Sequence, residues 1–266
     1  MSAARFTGER LHEGGSLFAL DLARHRAAYE VARAQRIGRR LLDLGCGGGH
    51  GAARLAKDGG TVVAVDRVAP DPGPRASGAH FCRADVAGLP FPPRAFDTVV
   101  SFQVIEHLVD PAPYLHAIAC LLAPDGVALL STPNRALSDG INPYHVREFL
   151  SGELRDLLAP HFAEVALLGV GRSEPVAAVM AARSARIRRI LRLDPLRLRE
   201  RLPRSVVERL FAWGALWVRL RGRGGADGPK PTWRDFPVGP ADDATSLDWL
   251  AVCRRARASG PGPGPS

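Results

Sequence analysis

Three stretches of the chain hold residues that could do chemistry: Asp43-Leu44-Gly45-Cys46-Gly47-Gly48-Gly49, Gln103-Val104-Ile105-Glu106-His107-Leu108, and Asn142-Pro143-Tyr144-His145-Val146-Arg147-Glu148-Phe149. In the first, glycines let the backbone approach a ligand closely, and a helix starting there offers it a partial positive charge. The spacing departs from the dinucleotide fingerprint G-x-G-x-x-G, because His50 stands at the sixth position. The acid before the glycines, Asp43, suits a cationic or amino-acid-bearing ligand better than a pyrophosphate. The other two stretches bring a carboxylate (Glu106) and two imidazoles (His107, His145). Such a set suits a transition metal, and either imidazole, titrating near neutrality, equally suits a general base. A purely structural cap or loop contact would also account for Glu106-His107.

These residues need a scaffold, and the pattern supplies one. Arg40 to Leu44 reads as a short strand ending in the glycine turn, followed by a helix from Gly51 to Lys57. Thr61 to Asp66 is apolar and β-branched, the mark of a buried parallel strand. Further strands are expected at Ala79 to Arg83, Phe96 to Phe102, Gly126 to Thr132, Phe162 to Leu168 and Ser246 to Cys253. Helices are expected at Leu20 to Ala34, Pro111 to Leu122 and, capped by Ser151, toward Leu158. Alternation of this kind predicts an α/β fold: a doubly wound, mostly parallel, seven-stranded Rossmann-like sheet. The expected organisation is an N-terminal arm (1–36), a core (37–171), a basic helical insertion with its linker (172–244), the last core strand (245–258) and a disordered tail (259–266).

Composition narrows the class. With 46% hydrophobic residues the chain can bury a sizeable core. No apolar segment resembles a signal peptide, and runs such as Phe211 to Val218 are too short to span a bilayer. Cys46, Cys82, Cys120 and Cys253 lie far apart, which argues against a zinc site or a disulfide framework and fits a reducing cytoplasm. The net charge of +9 is concentrated: residues 172–223 hold 14 arginines against 4 acids, leaving the rest near neutral.

At the glycine turn the sequence resembles the class I S-adenosylmethionine-dependent methyltransferases. Their first motif corresponds to Asp43-Leu44-Gly45-Cys46-Gly47-Gly48-Gly49. The likeness continues through Val62-Val63-Ala64-Val65-Asp66, Arg83-Ala84-Asp85, Leu89-Pro90-Phe91, Phe96-Asp97-Thr98-Val99-Val100-Ser101, Leu122-Ala123-Pro124-Asp125-Gly126 and Ser131-Thr132-Pro133-Asn134. It implies S-adenosylmethionine as cofactor, held by Asp43, Gly45, Cys46, Gly47, Asp66, Arg67, Asp85, Val86 and Gln103. Asp66 would accept hydrogen bonds from the ribose hydroxyls, and Asp85 would meet the adenine amino group with a backbone N–H from Val86.

Among these enzymes, the ubiquinone-biosynthesis O-methyltransferases and the small-RNA 2′-O-methyltransferases carry E-x-x-E-H and a later His, which bind a divalent metal. Glu106, His107 and His145 match, whereas Gln103 stands where the first Glu is expected. An amide oxygen brings no charge, so affinity for a hard cation should fall. The resemblance implies O-methylation of a hydroxyl on a small molecule, glycan or lipid-linked metabolite, with His145, His107 and Glu106 as the catalytic candidates. An RNA 2′-O-methyltransferase and a non-catalytic S-adenosylmethionine-binding protein are the alternatives. Phe6-Thr7-Gly8-Glu9-Arg10, with His25 and Tyr29 later, is similar to the lead-in of bacterial methyltransferases associated with glycans, where this arm folds over the cofactor.

The insertion has its own pattern. Ser205-Val206-Val207-Glu208 is a capping box, and Leu210, Trp213, Trp217 and Leu220 share the following helix face. Arg alternates with Ile and Leu before it, so residues 186–221 could pack on the domain, cover a substrate, or lie on an anionic membrane. Nucleic acid is disfavoured, because no aromatic–basic stacking platform is evident. The expected location is cytoplasmic, with a peripheral membrane contact through this segment.

Overall fold

The computed structural model describes residues 19–86, 88–138, 142–191 and 230–257, with side chains left aside over 186–191. The sequence expectations for Phe6 to Arg10, for the helix opened by Ser205 and for the terminal Gly-Pro repeat lie outside these residues.

Eight strands form one sheet. They are β1 (Arg40–Leu44), β2 (Thr61–Asp66), β3 (His80–Arg83), β4 (Phe96–Phe102), β5 (Leu122–Pro133), β6 (Phe162–Val170), β7 (Val238–Pro240) and β8 (Asp248–Ala256), in the order β3-β2-β1-β4-β5-β8-β6-β7. The first five run parallel, while β8 is inserted antiparallel between β5 and β6. This is the doubly wound, mostly parallel arrangement read from the pattern. The short edge strand β7 adds to the seven expected; it falls in the stretch taken as linker. Its three residues, two of them Gly and Pro, are too few to show alternation, and Pro240 is tolerated because an edge strand has one side unpaired.

Among the described residues six α-helices flank the sheet: α1 (Ala19–Gln35), α2 (His50–Ala56), α3 (Pro72–Arg75), α4 (Ala112–Leu121), α5 (Ser151–Leu158) and α6 (Glu174–Leu191). On one face Ala23, Ala27 and Ala32 of α1 and Ala52 and Leu55 of α2 pack on Leu41, Val62 and Ala64. The buried contacts of α1 are mostly alanines, whose small side chains let the helix lie close to the strands. On the other face Leu115 and Ile118 of α4 and Leu154 and Leu158 of α5 meet Leu42, Leu44, Val99 and Trp249. Ser151 is the first residue of α5 rather than its cap. The Leu150 N–H is satisfied by Glu153 Oε2 at 2.9 Å, and Asp243 accepts from both the N–H and the hydroxyl of Ser151. Among the described residues no helix is long and apolar enough to cross a membrane.

Candidate active site

The carboxyl ends of β1, β2, β4 and β5 converge, the usual place for a ligand in an open parallel sheet. After β1 the chain turns through Gly45 (φ +83°), Gly47 (φ +55°) and Gly49 (φ +85°), all in the left-handed region that favours glycine. At Gly45 a Cβ would come within 2.3 Å of Val104 Cγ2, whereas at Gly47 it would project into open space. The first is a packing demand, and the second leaves a cradle beside the backbone. Gly45 and Cys46 donate their N–H groups to Val65 O, which fixes the turn to β2.

Asp66 ends β2 and takes the Gly47 N–H at 2.8 Å and the Val68 N–H at 3.0 Å. Its carboxylate is therefore aimed by the glycine turn, at the position the resemblance gives to ribose recognition. Arg67 is exposed and offers its carbonyl to Arg83 Nε, Asp85 is exposed, and Val86 is half-buried beyond β3. A cavity of about 490 Å³ shares Cys46 and Asp66 with the turn and runs along Val68, Arg75, His80 and Arg83. It does not include Asp85, Gln103, His107 or His145, so it lies on the β2–β3 side of the site.

Asp43 points to the α1 side and is buried. Tyr29 donates its hydroxyl to the carboxylate at 3.1–3.2 Å. Burial, with Asp66 nearby, pushes Asp43 up to about 7, while the Tyr29 hydroxyl and the Ala52 N–H work against the shift. Gln103, just past β4, has φ +57°; its N–H donates to Ser131 O, and its side chain reaches Ser131 Oγ at 3.4 Å and Asp248. The amide nitrogen is thus turned to β5 and β8.

Glu106, His107 and His145 do come together. A 3₁₀ turn (Ile105–His107) after β4 carries the first two, and residues 142–149 are strapped across it. Glu106 O accepts the Val146 and Arg147 N–H groups, and His107 Nδ1 lies 3.0 Å from Tyr144 O. Because a carbonyl only accepts, His107 Nδ1 bears the proton and its Nε2 presents a lone pair in the neutral ring. His145 Nδ1 lies 2.6 Å from Glu148 Oε1, and the two imidazoles meet edge to face at 5.1 Å. One ligand atom from each of Glu106, His107 and His145 lies within 4.8 Å of the others. Glu106 is fully buried; Thr132 donates to its Oε2, while Oε1 has no hydrogen-bond partner among the described residues. Burial pushes the carboxyl up to about 8, with His145 and Thr132 opposing. Burial also works against ionisation of Glu148, yet hydrogen bonds from His145 and Ser138 hold it below the usual carboxylate value.

Several residues of this region carry no motif. Arg24 of α1 forks onto Asp248 of β8, and Asn134, just past β5, donates to the carbonyls of Asp243 and Ser246 in the segment that leads into β8. Nothing local announces Arg24–Asp248, since the partners are 224 residues apart. His25, beside Arg24, is held down to about 4 by burial and by that guanidinium.

A family described as methyltransferase domain matches residues 18–167, more than half of the chain. The chain belongs to this methyltransferase family. It is 37% identical over 171 residues to a "probable S-adenosylmethionine-dependent methyltransferase" of Mycolicibacterium smegmatis, covering 59% of this chain and 64% of the relative. A similarly named protein of Mycobacterium tuberculosis is 36% identical over 173 residues, covering 62% and 63%. A ubiquinone biosynthesis O-methyltransferase of Caulobacter is 37% identical over 114 residues, covering 38% and 43%. The matches thus span less than two thirds of these relatives' own length. A protein from Thermotoga maritima described as an S-adenosylmethionine-dependent methyltransferase has the same fold, with a TM-score of 0.56 at 13% identity over 90% of this chain and 92% of the other.

Proposed function

We propose that this protein transfers the methyl group of S-adenosylmethionine to a hydroxyl of a small-molecule, glycan or lipid-linked acceptor, with His145 taking the hydroxyl proton. The observation that carries the reading is the His145–Glu148 contact at 2.6 Å. A carboxylate on Nδ1 fixes the proton there and leaves Nε2 as the base, as in other His–carboxylate pairs. The open space beside Gly47, with the Asp66 carboxylate bonded to its N–H, fits the donor. The donor supplies an activated methyl on a sulfonium. Gly45, Cys46 and Gly47 would hold its amino-acid end, Asp66 and Arg67 its ribose, and Asp85 and Val86 its base. The acceptor oxygen forms the new C–O bond as the C–S bond breaks toward sulfur, and the hydroxyl proton passes to His145 Nε2. The protein's work is alignment and proton removal. Incubating it with methyl-labelled donor and host-cell extract, followed by mass identification of the product, tests this. Release of S-adenosylhomocysteine without a methylated hydroxyl would overturn it; binding without any turnover would favour a non-catalytic role, and label in RNA would favour the 2′-O alternative.

A second reading rests on Glu106 Oε1. A buried carboxylate oxygen with no partner among the described residues, near two imidazoles, fits a divalent transition metal held by Glu106, His107 and His145. Bound there, a metal would polarise the acceptor hydroxyl. Zinc and manganese titrations followed by calorimetry test it: heat lost in His145→Ala supports the site, and no heat in the parent protein ends it. Peripheral contact with an anionic membrane through 186–221 is proposed from the sequence alone. Failure to sediment with anionic vesicles at low salt would dismiss it.

A further inference from the structure

We propose that Arg24 and Asp248 are positioning residues of the donor site, acting through Gln103. This rests on the reading of Gln103 as part of that site. Arg24 approaches Asp248 as a fork, Nε to Oδ2 and Nη2 to Oδ1, each at 2.5 Å. A bidentate guanidinium–carboxylate pair fixes direction as well as distance. Asp248 is only 4% exposed, and its backbone is fixed between Pro133 of β5 and Val170 of β6. A carboxylate this buried must be matched by donors. Arg24 supplies two of them, and the Gln103 side chain supplies another.

Gln103 needs such support. It sits in the left-handed region, where a residue with a Cβ is crowded against its own backbone. The bend at Gln103 decides where the next residue lies, and Val104 packs against Gly45 so closely that no Cβ fits there. A continuous path therefore runs from Arg24 through Asp248, Gln103 and Val104 to the turn that cradles the donor. Burial pushes Asp248 above the usual carboxylate range and Arg24 opposes it, so the guanidinium also keeps Asp248 an acceptor for the Gln103 amide. An α1–β8 tether alone would not require Gln103 to share the carboxylate.

The test is a double-mutant cycle read by calorimetry with S-adenosylhomocysteine on the full chain, with a melting temperature for every variant. Arg24→Met and Gln103→Ala are each expected to weaken binding about tenfold, and the double variant no further than either alone. Arg24→Lys, which keeps the charge without the fork, should fall between. Wild-type affinity in Arg24→Met, or losses that multiply in the double variant, would overturn the proposal. If Arg24→Met does not fold, Arg24→Lys and Asp248→Asn replace it in the same cycle with Gln103→Ala. Failure of the parent protein to bind S-adenosylhomocysteine would instead count against the donor reading itself.

Discussion

The Tyr29 hydroxyl bridges both carboxylate oxygens of Asp43, at 3.2 and 3.1 Å, so α1 is hydrogen-bonded to the residue that leads into the glycine turn. The Tyr29 ring also meets Phe102 edge to face at 4.8 Å, which seats it between β1 and β4.

Asp43 makes the glycine turn sensitive to pH. Its folded pKa, raised to about 7, lies above the unfolded value, so the folded state holds the proton more tightly. The resulting stabilisation is fully present below about pH 4 and is lost as pH rises to 7; the whole effect is on the order of 4 kcal/mol. A cationic donor at the turn should favour the ionised form. The protein without donor is therefore expected to lose more melting temperature between pH 4 and pH 7 than Asp43→Asn, with S-adenosylmethionine narrowing the difference. Identical pH profiles for the two proteins would refute this.

Gly51→Ala should be destabilising, against the usual gain from removing glycine inside a helix. That gain is about 0.5–1 kcal/mol. Here the new Cβ would fall 1.8 Å from Tyr29 Cζ, and the ring is buried against Phe102. Overpacking of this kind costs roughly 1–3 kcal/mol, more than the helix gains. Urea unfolding should show a lower midpoint for Gly51→Ala than for the parent, whereas in a Tyr29→Ala background the Gly51→Ala change should no longer lower the midpoint. A variant as stable as the parent would show that Tyr29 can move aside.

The glycine turn was legible because its residue types carry their own geometry: only glycine takes three left-handed positions in five residues so easily. The strand β2 was legible because burial on both faces leaves a continuous apolar run, Val62 to Val65. Glu106, His107 and His145 could be named, but their proximity depends on the 142–149 strap, whose hydrogen bonds run to backbone carbonyls and leave no residue signature. Arg24 and Asp248 were silent for a different reason. Each reads alone as a surface charge, and only the placement of β8 between β5 and β6 brings them together. Gln103 was visible as a departure from E-x-x-E-H, yet its left-handed backbone and its turn toward Asp248 were not.

Trp249→Phe tests what holds the strap. The indole Nε1 donates to Phe149 O at 2.9 Å from a fully buried position, and Arg135 N–H donates to the same carbonyl. Losing one of two donors to a buried carbonyl should cost about 1 kcal/mol, with a small cavity adding to it. The predicted outcome is a modest fall in melting temperature with S-adenosylhomocysteine affinity unchanged, because the strap lies on the acceptor side. A tenfold loss of that affinity would place the strap's influence elsewhere.

Variants at His145 and Glu148 should rank in a set order once an acceptor is in hand. His145→Ala removes the base and is expected to lower kcat about a hundredfold, the low end for general base catalysis. Glu148→Gln keeps an oxygen to receive the Nδ1–H, so the ring stays oriented, but it removes the negative charge that supports an imidazolium. That should cost kcat about tenfold, in line with a charged hydrogen bond giving way to a neutral one. Glu148→Ala loses orientation as well and should fall between the two. In all three the affinity for S-adenosylhomocysteine should hold, since neither residue lines the glycine turn. Single-turnover transfer from labelled donor separates these cases from slow product release. If Glu148→Gln proves more impaired than His145→Ala, then Glu148 acts directly on the acceptor and His145 serves only to hold it.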